Sequence, residues 1–215
     1  LLHQELMKVR VMTIMNKGLL IVVSAPSGCG KGTILSEVLK DDRFYYSVSA
    51  TTRSPRLGEV NGVTYHFITK QDFEERIKNN AMLEYAEYCG NYYGTPKKEI
   101  DEMREQGKNV ILEIEVQGAM KVREICPDAV FIFVLPPSVA ELERRLKKRA
   151  TETDDVIAQR VSQARSEIEL ARKYDYVVVN AALEDAINDF KAVIKAEELK
   201  VSNAQDLIDE VINNA

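Results

Sequence analysis

The stretch SAPSGCGKGT, residues 24–33, combines residue types that could bind phosphate. Successive backbone N–H groups at a tight glycine turn, followed by a helix N-terminus, attract anionic oxygens. Gly28 and Gly30 would permit the turn, and Lys31 would add a positive charge. The stretch predicts a loop that binds a nucleoside triphosphate, and the alternative is a glycine-rich turn without a ligand.

Two positions depart from the usual phosphate-loop pattern GxxxxGK[ST]. Ala25 stands where the pattern has glycine, and Gly32 stands where it has serine or threonine. Thr33 offers a hydroxyl one residue later. Because Mg²⁺ keeps several waters in such sites, we expect Thr33 to contact the ion through water.

A second group of residues could bind another phosphate. Arg53 and Arg56 lie on either side of Pro55, and two arginines on a stiffened segment can form a bidentate clamp. The alternative is a solvated basic loop. Neighbouring hydroxyl side chains favour the clamp: Ser49, Tyr65, Tyr92, Tyr93 and Thr95.

Glu84 is a carboxylate within the mainly apolar stretch MLEYAE. Such a group could accept hydrogen bonds from the adjacent N1–H and 2-amino groups of guanine. Adenine has an acceptor at N1 and no 2-amino group, so the same carboxylate would reject it. A site built on hydrogen bonds can discriminate by roughly 10⁴-fold.

A third group of arginines follows in ELERRLKKRATETDDVIAQR, residues 141–160. Arg145 and Arg149 share a helical face, and Arg160 follows a short stretch rich in Thr and Asp. They could fold over a transferring phosphoryl group and neutralise its charge. Solvated charge on an exposed helix explains the pattern equally well.

The elements that must position these residues alternate between two types. Apolar runs predict buried strands at 19–25, 109–118, 129–137 and 174–180, and amphipathic stretches predict helices near 31–40, 97–107, 138–149, 154–173 and 184–199. This alternation predicts an α/β fold with a mostly parallel sheet covered by helices on both faces.

Residues 53–96 interrupt the alternation with aromatic-rich segments of alternating polarity. We expect an inserted lobe of mixed β structure, with a turn at Gly90-Asn91 that reverses one strand onto the next. Ligands often bind where two lobes meet. The alternative is a surface sheet with no ligand.

Composition limits the remaining classes of function. The chain has 215 residues, a net charge of −5, two histidines and three scattered cysteines. These features argue against a nucleic-acid-coating surface, a histidine-ligated metal site and a disulfide framework, and they fit a reduced cytoplasmic protein without a membrane segment.

Charges interrupt every apolar run in residues 1–16, which we expect to be a disordered N-terminal extension. Cys29 is either an activated thiolate beside a helix N-terminus or a small space-filling residue.

Six segments, in chain order, closely resemble guanylate kinases, the P-loop kinases that make GDP and ADP from GMP and ATP. They are SAPSGCGKGT, SATTRSPRLGEVNGVTYHF, LEYAEYCGNYYGT, LEIEVQGA, FIFVLPPS and RATETDD. The resemblance runs through roughly residues 17–200, and its TTRSPRLGE and GNYYGT segments are the most specific.

The resemblance implies a role for each matching residue. ATP would bind to Ala25, Pro26, Ser27, Gly28, Cys29, Gly30, Lys31, Gly32, Thr33 and Asn180, with Mg²⁺ near Thr33. GMP would bind to Ser49, Arg53, Arg56, Tyr65, Glu84, Tyr93, Thr95 and Glu115. The groups that promote transfer would be Lys31, Arg53, Arg145, Arg149 and Arg160.

The implied organisation is a P-loop core of residues 17–52 and 97–200, with a GMP-binding lobe at 53–96. A helical lid at about 141–162 and a C-terminal helix at 201–215 complete it. We expect GMP, and also dGMP, as acceptor in purine nucleotide metabolism, and a monomer or homodimer.

Two alternative functions remain. One is a non-catalytic interaction module, which the retained Lys31 and Arg53 argue against. The other is a kinase for another monophosphate, which Glu84 argues against.

Overall fold

The computed structural model describes residues 17–148 and 153–213. The expected extension at 1–16 and the lid residue Arg149 therefore lie outside the described residues. Within the described ranges, the strands are β1 (Leu20–Ser24), β2 (Phe44–Tyr46), β3 (Ala50–Thr51), β4 (His66–Phe67), β5 (Met82–Tyr88), β6 (Asn91–Pro96), β7 (Asn109–Glu113), β8 (Val130–Leu135) and β9 (Tyr176–Val179).

The helices alternate with these strands over most of the chain. They are α1 (Lys31–Val38), α2 (Lys70–Lys78), α3 (Lys97–Glu105), α4 (Val116–Ile125), α5 (Val139–Lys148), α6 (Asp154–Leu170), α7 (Leu183–Glu198) and α8 (Gln205–Asn213). Short 3₁₀ turns lie at Ala171–Lys173 and Val201–Asn203. Among the described residues, none of the helices combines the length and the hydrophobicity that a membrane-spanning segment needs.

The central sheet has five parallel strands in the order β2-β7-β1-β8-β9. Strand β1 lies in the middle, and all five of its residues are buried. Its side chains alternate between two cores: Ile21 and Val23 pack with helices α1 and α7, while Leu20 and Val22 pack with α3 and α4. The predicted parallel sheet with helices on both faces is confirmed.

The second sheet has the order β4-β3-β6-β5 and is mixed. Strand β3 pairs parallel with β4 and antiparallel with β6, and β5 pairs antiparallel with β6. The predicted hairpin is present, but its turn lies at Cys89-Gly90, since Tyr88 pairs with Asn91. Cys89 and Gly90 both have positive φ, at 50° and 75°, as a two-residue hairpin turn requires.

One predicted strand is too long. The run at 109–118 is a strand only to Glu113, and α4 begins at Val116, with Glu115 as its N-cap residue. Glu113 and Glu115 therefore do not share one side of a strand. Val, Ile and Glu alternate through this boundary, so the pattern hides the change to a helix. Edge strand β2 and helices α2 and α4 were not predicted.

Candidate nucleotide-binding site

The loop after β1 turns through two glycines with left-handed backbones. Gly28 has a φ of 93° and Gly30, which precedes α1, has a φ of 81°. Both also lie close to other elements. A Cβ on Gly28 would lie 2.9 Å from a Leu146 methyl carbon, and one on Gly30 would lie 2.4 Å from Nδ2 of Asn180. Only glycine satisfies both the backbone and the space at these positions.

Side-chain hydrogen bonds fix this loop to the sheet. The Ser24 hydroxyl donates to the Ile114 carbonyl at 2.7 Å, and the Asn180 amide donates to the Cys29 carbonyl at 2.7 Å. The loop therefore has one anchor on each side of β1. These two bonds hold both ends of the loop against the sheet.

Cys29 has no exposed surface and packs in the core. Burial raises the pKa of its thiol to about 12. Arg145 and Lys31 oppose that shift, but burial outweighs them. The hypothesis of an activated thiolate is therefore wrong, and Cys29 is the small space-filling residue.

A cavity of about 520 Å³ lies against the loop. Its lining comprises Ala25, Pro26, Ser27, Gly28, Cys29, Gly30, Lys31, Gly32, Thr33, Glu113, Glu115, Val116, Gln163 and Glu167. The loop residues expected from the sequence thus share one space with three carboxylates. Burial raises the pKa of the Glu167 carboxyl.

Glu113 is a member of this site that the sequence analysis missed. Its carboxylate lies 3.5 Å from the Lys31 ammonium nitrogen and accepts a hydrogen bond of 3.1 Å from the Tyr46 hydroxyl. The signal was available, because parallel strands end at the same edge of a sheet. In the observed register Glu113 pairs with Val23, one residue before the end of β1.

A second cavity, of about 550 Å³, shares Gly28, Gly30 and Thr33 of its lining with the first. Its lining comprises Gly28, Gly30, Thr33, Arg145, Lys148, Asn180, Ala181 and Leu183. Arg145 donates to Glu141 at 2.8 Å and to the Asn180 carbonyl at 3.0 Å, which holds its guanidinium beside the loop. Arg160, on α6, approaches the Ser27 hydroxyl at 3.5 Å. Two of the three expected lid arginines are therefore beside the loop.

Arg53 is oriented by Glu59, another residue that the sequence analysis missed. The two side chains form a bidentate ion pair with both N–O distances at 2.6 Å, which raises the pKa of Arg53 and lowers that of Glu59 to about 2. Glu59 also accepts from the Arg56 backbone N–H at 2.7 Å. The side chain of Arg56 itself is exposed. One carboxylate therefore ties together the segment that carries both arginines.

Aromatic rings complete the surroundings of Arg53. Its guanidinium carbon lies 5.2 Å from the centre of the Tyr65 ring, and Tyr65 meets Tyr93 edge to face at 6.2 Å. Ser49, at the start of this sheet, is half-buried, and its carbonyl accepts from the His66 N–H. The structure thus brings Arg53, Tyr65 and Tyr93 together.

Glu84 and Thr95 form a buried polar pair in the second sheet. Their residues are 8% and 1% exposed, and the Thr95 hydroxyl donates to Oε1 of Glu84 at 2.7 Å. Burial raises the pKa of the Glu84 carboxyl, the Thr95 hydrogen bond and the Lys121 charge lower it, and the Glu115 charge raises it further. Glu115 itself is exposed at the start of α4 and lines the loop cavity.

The loop offers a hard cation few protein ligands. Across residues 17–148 and 153–213, no group of three or more His, Cys, Asp or Glu side chains could hold a metal ion. Thr33 presents an exposed hydroxyl at the first turn of α1 and lines both cavities. This donor set fits a Mg²⁺ ion that arrives with a nucleotide, because Mg²⁺ takes most of its ligands from phosphates and water in such sites.

Comparison with known proteins gives one consistent family. The guanylate kinase family model matches residues 17–197. Guanylate kinase from Clostridium tetani is 50% identical over 90% of this chain and 93% of its own length, and that from Bacillus subtilis is 52% identical over 86% and 91%. The crystal structure of guanylate kinase from Anaplasma phagocytophilum is 34% identical, with a TM-score of 0.70 over 87% of this chain and 89% of its own.

Proposed function

This chain belongs to the guanylate kinase family and is an ATP:GMP phosphotransferase, and we propose how its two sheets divide the two substrates between them. The central sheet carries the loop and its two cavities, which would bind ATP. The second sheet carries Arg53 and Glu84, which would bind the phosphate and the base of GMP. Transfer would occur where the two sets of residues face each other.

The triphosphate of ATP binds to the loop amides and to Lys31 in this proposal. Gly28 and Gly30 leave the backbone N–H groups open to approach, and α1 adds the positive end of its dipole. The cavity lined by Asn180 and Arg145 would hold the adenosine end. Thr33 would hold Mg²⁺ through water. The ion, when bound, supplies charge neutralisation on the phosphate oxygens.

The phosphate of GMP binds to the arginine segment. Arg53 is already oriented by Glu59 and by the Tyr65 ring, so little side-chain freedom remains to be lost on binding. Arg56, whose side chain is exposed, can add a second guanidinium. Ser49, Tyr65 and Tyr93 supply hydroxyl donors.

Guanine is recognised by the Glu84 carboxylate with Thr95, and Glu115 supports it from the start of α4. The Thr95 hydroxyl uses one oxygen of Glu84. A carboxylate has about four acceptor positions, so others remain for N1–H and the 2-amino group. AMP offers neither donor, and the buried carboxylate would lose its partners.

The reaction needs no general base, because the acceptor oxygen of GMP is already ionised at neutral pH. The obstacle is repulsion between two anionic phosphates. Lys31, Arg53, Arg145, Arg149 and Arg160 are the cations proposed to offset that repulsion. Closure of the 53–96 lobe and of a lid at about 141–162 would exclude water, since bound water would otherwise accept the phosphoryl group.

The proposal extends to dGMP, because the assigned GMP residues address the base and the phosphate and none addresses the 2′-hydroxyl. Every assigned residue comes from one chain, so either a monomer or a homodimer could carry out the reaction. The free cysteines at 29, 89 and 126 fit a reducing compartment, and we propose the cytoplasm.

One observation carries these assignments. Glu115 lines the loop cavity, and Gly118 of the same helix lies against the Glu84 carboxylate. The loop cavity and the buried acid are therefore separated by about one turn of α4, roughly 5 Å along its axis. A base held by Glu84 would place its phosphate within reach of the loop.

The decisive measurement is ADP release by the purified protein with Mg²⁺ and ATP, coupled to NADH oxidation. GMP and dGMP should both be phosphorylated, and AMP, CMP and UMP should be poor acceptors. Equal turnover with AMP would contradict the role of Glu84. No turnover with GMP would favour the non-catalytic interaction module.

A further inference from the structure

Helix α4 contains a glycine, Gly118, although the backbone conformation at this position does not require one. Gly118 is buried, and it is not among the residues with positive φ. Glycine within a helix is less favourable than alanine, because it loses more backbone freedom on folding. The next residue, Ala119, shows that a methyl group is accommodated elsewhere on this buried face.

The space above Gly118 is occupied by the Glu84 carboxylate. A Cβ on Gly118 would lie 2.9 Å from Oε2 of Glu84 and 3.3 Å from its carboxyl carbon. The first distance is shorter than carbon and oxygen normally approach without a hydrogen bond. The next contact, a methyl carbon of Ile114 at 3.7 Å, is ordinary van der Waals packing. The steric conflict is therefore with the functional carboxylate.

Contacts on two sides fix the position of this carboxylate. Thr95 donates to Oε1 from strand β6, and Gly118 lets Oε2 rest against α4. Lys121, one turn further along α4, donates to the Tyr85 carbonyl beside Glu84. Hydrogen bonds to two adjacent N–H groups of a base require the carboxylate plane to be set, and these contacts set it.

We propose that Gly118 is a positioning residue for guanine recognition: its missing side chain lets the Glu84 carboxylate settle against helix α4 in the orientation that binds guanine. The proposal rests on the role of Glu84 given above. Gly118 makes no contact with the substrate and acts only through Glu84.

The test is Gly118→Ala, measured in the purified full chain. The atom that must move is the end of a flexible side chain, so the fold should accept the methyl group. The Tm should stay the same or rise, because alanine favours the helix. The KM for GMP should rise about tenfold, as expected when a charged hydrogen-bond partner is misplaced. The KM for ATP should not change, and selectivity for GMP over AMP should fall.

Gln117→Ala is the matched control, because Gln117 is exposed on the same helix. It should leave both KM values unchanged. An unchanged KM for GMP in folded Gly118→Ala would overturn the proposal. A lower Tm together with a rise in both KM values would also overturn it, since that pattern indicates general damage to the fold.

A double-mutant cycle connects the effect to Glu84. In a Glu84→Ala background the carboxylate is absent, so adding Gly118→Ala should leave the KM for GMP unchanged within about twofold. If the single variant fails to fold, the double variant carries the test: it should fold, and its failure to fold would overturn the proposal. Glu84→Gln separates the two hypotheses. If Glu84→Gln leaves selectivity for GMP intact, the proposed role of Glu84 is wrong. If Glu84→Gln loses selectivity while Gly118→Ala keeps the KM for GMP of the parent, only the proposed role of Gly118 is wrong.

Discussion

The loop at residues 24–33 and the second sheet, residues 50–96, differ in the groups that they would offer to an anion. The loop presents backbone N–H groups, and its anchors Ser24 and Asn180 are buried in the core of the central sheet. The second sheet presents side chains, among them Arg53 in an ion pair with Glu59 and Glu84 bonded to Thr95. One site offers the backbone of a tight turn, held by bonds to distant parts of the chain, and the other offers side chains paired with neighbours 6 and 11 residues away.

This difference separates affinity from selectivity. Backbone N–H groups bind any phosphate of suitable geometry, so the loop would bind a triphosphate largely independently of the rest of the ligand. A buried carboxylate accepts only a ligand with matching donors. Substitutions in the loop should therefore lower kcat. Substitutions in the second sheet should lower kcat/KM for GMP or the selectivity for GMP over other monophosphates.

The largest expected effect is at Lys31. Lys31→Ala removes the charge that we propose stabilises the transferring phosphoryl group, and kcat should fall by about 10²–10³-fold, the usual loss for one such group. The KM for GMP should change little, because Lys31 belongs to the loop. Steady-state kinetics with each substrate varied would show this. A large rise in the KM for GMP with normal kcat would contradict the proposal that the loop acts on ATP and the second sheet on GMP.

The next effect is at the arginine segment. Arg53→Ala should lower kcat/KM for GMP by roughly 10–100-fold, as for lost hydrogen bonds to a charged group. Binding of ATP, measured by calorimetry, should be unaffected. Arg56→Ala should act in the same direction. Normal kcat/KM for GMP in both variants would contradict the phosphate clamp.

A smaller effect tests the anchoring of the loop. Asn180→Ala removes the donor to the Cys29 carbonyl, a buried hydrogen bond worth about 1–3 kcal/mol when one partner is left unsatisfied. The Tm should fall by roughly 2–10 °C for a chain of this size. The KM for ATP should rise and the KM for GMP should not. A rise confined to GMP would show that the loop does not depend on this anchor.

The smallest effect is a pH dependence of GMP binding. In the proposed site guanine needs the ionised form of Glu84, and burial raises the pKa of that carboxyl despite the opposing Thr95 and Lys121. As pH falls, protonation of Glu84 should begin at a higher pH than for an ordinary glutamate, and the KM for GMP should rise. The phosphate of GMP titrates as well, so Glu84→Gln is the control. A pH profile identical in both proteins would exclude Glu84 as the source.

Much of the fold was predictable because most of its strands correspond to local patterns of apolar residues. Continuous apolar runs marked β1, β8 and β9, and the residues around Gly90 marked the hairpin of the second sheet. The errors lie where local patterns are ambiguous. The run EIEVQGAM changes from strand to helix without a break in its apolar spacing, and β2 has only three residues.

Part of the candidate site could be predicted for a similar reason. The loop residues are contiguous, so their spacing alone predicts a tight turn suited to phosphate. Glu113 and Glu59 could not be assigned from local spacing; for Glu113 the available signal was its place at the end of a parallel strand. Each acquires its function from a partner, Lys31 in one case and Arg53 in the other, and a single sequence gives no direct record of which side chains meet.

The sequence by itself determined the parallel α/β core, the turn of the loop and the family, since each depends on residue types at short and fixed spacing. Only the tertiary structure decided that α4 would bring Gly118 against Glu84, a residue 34 positions earlier, while its first residue opens onto the loop cavity. The physical reason is that local spacing sets backbone conformation and which faces are buried. The packing of whole elements then sets which buried groups touch.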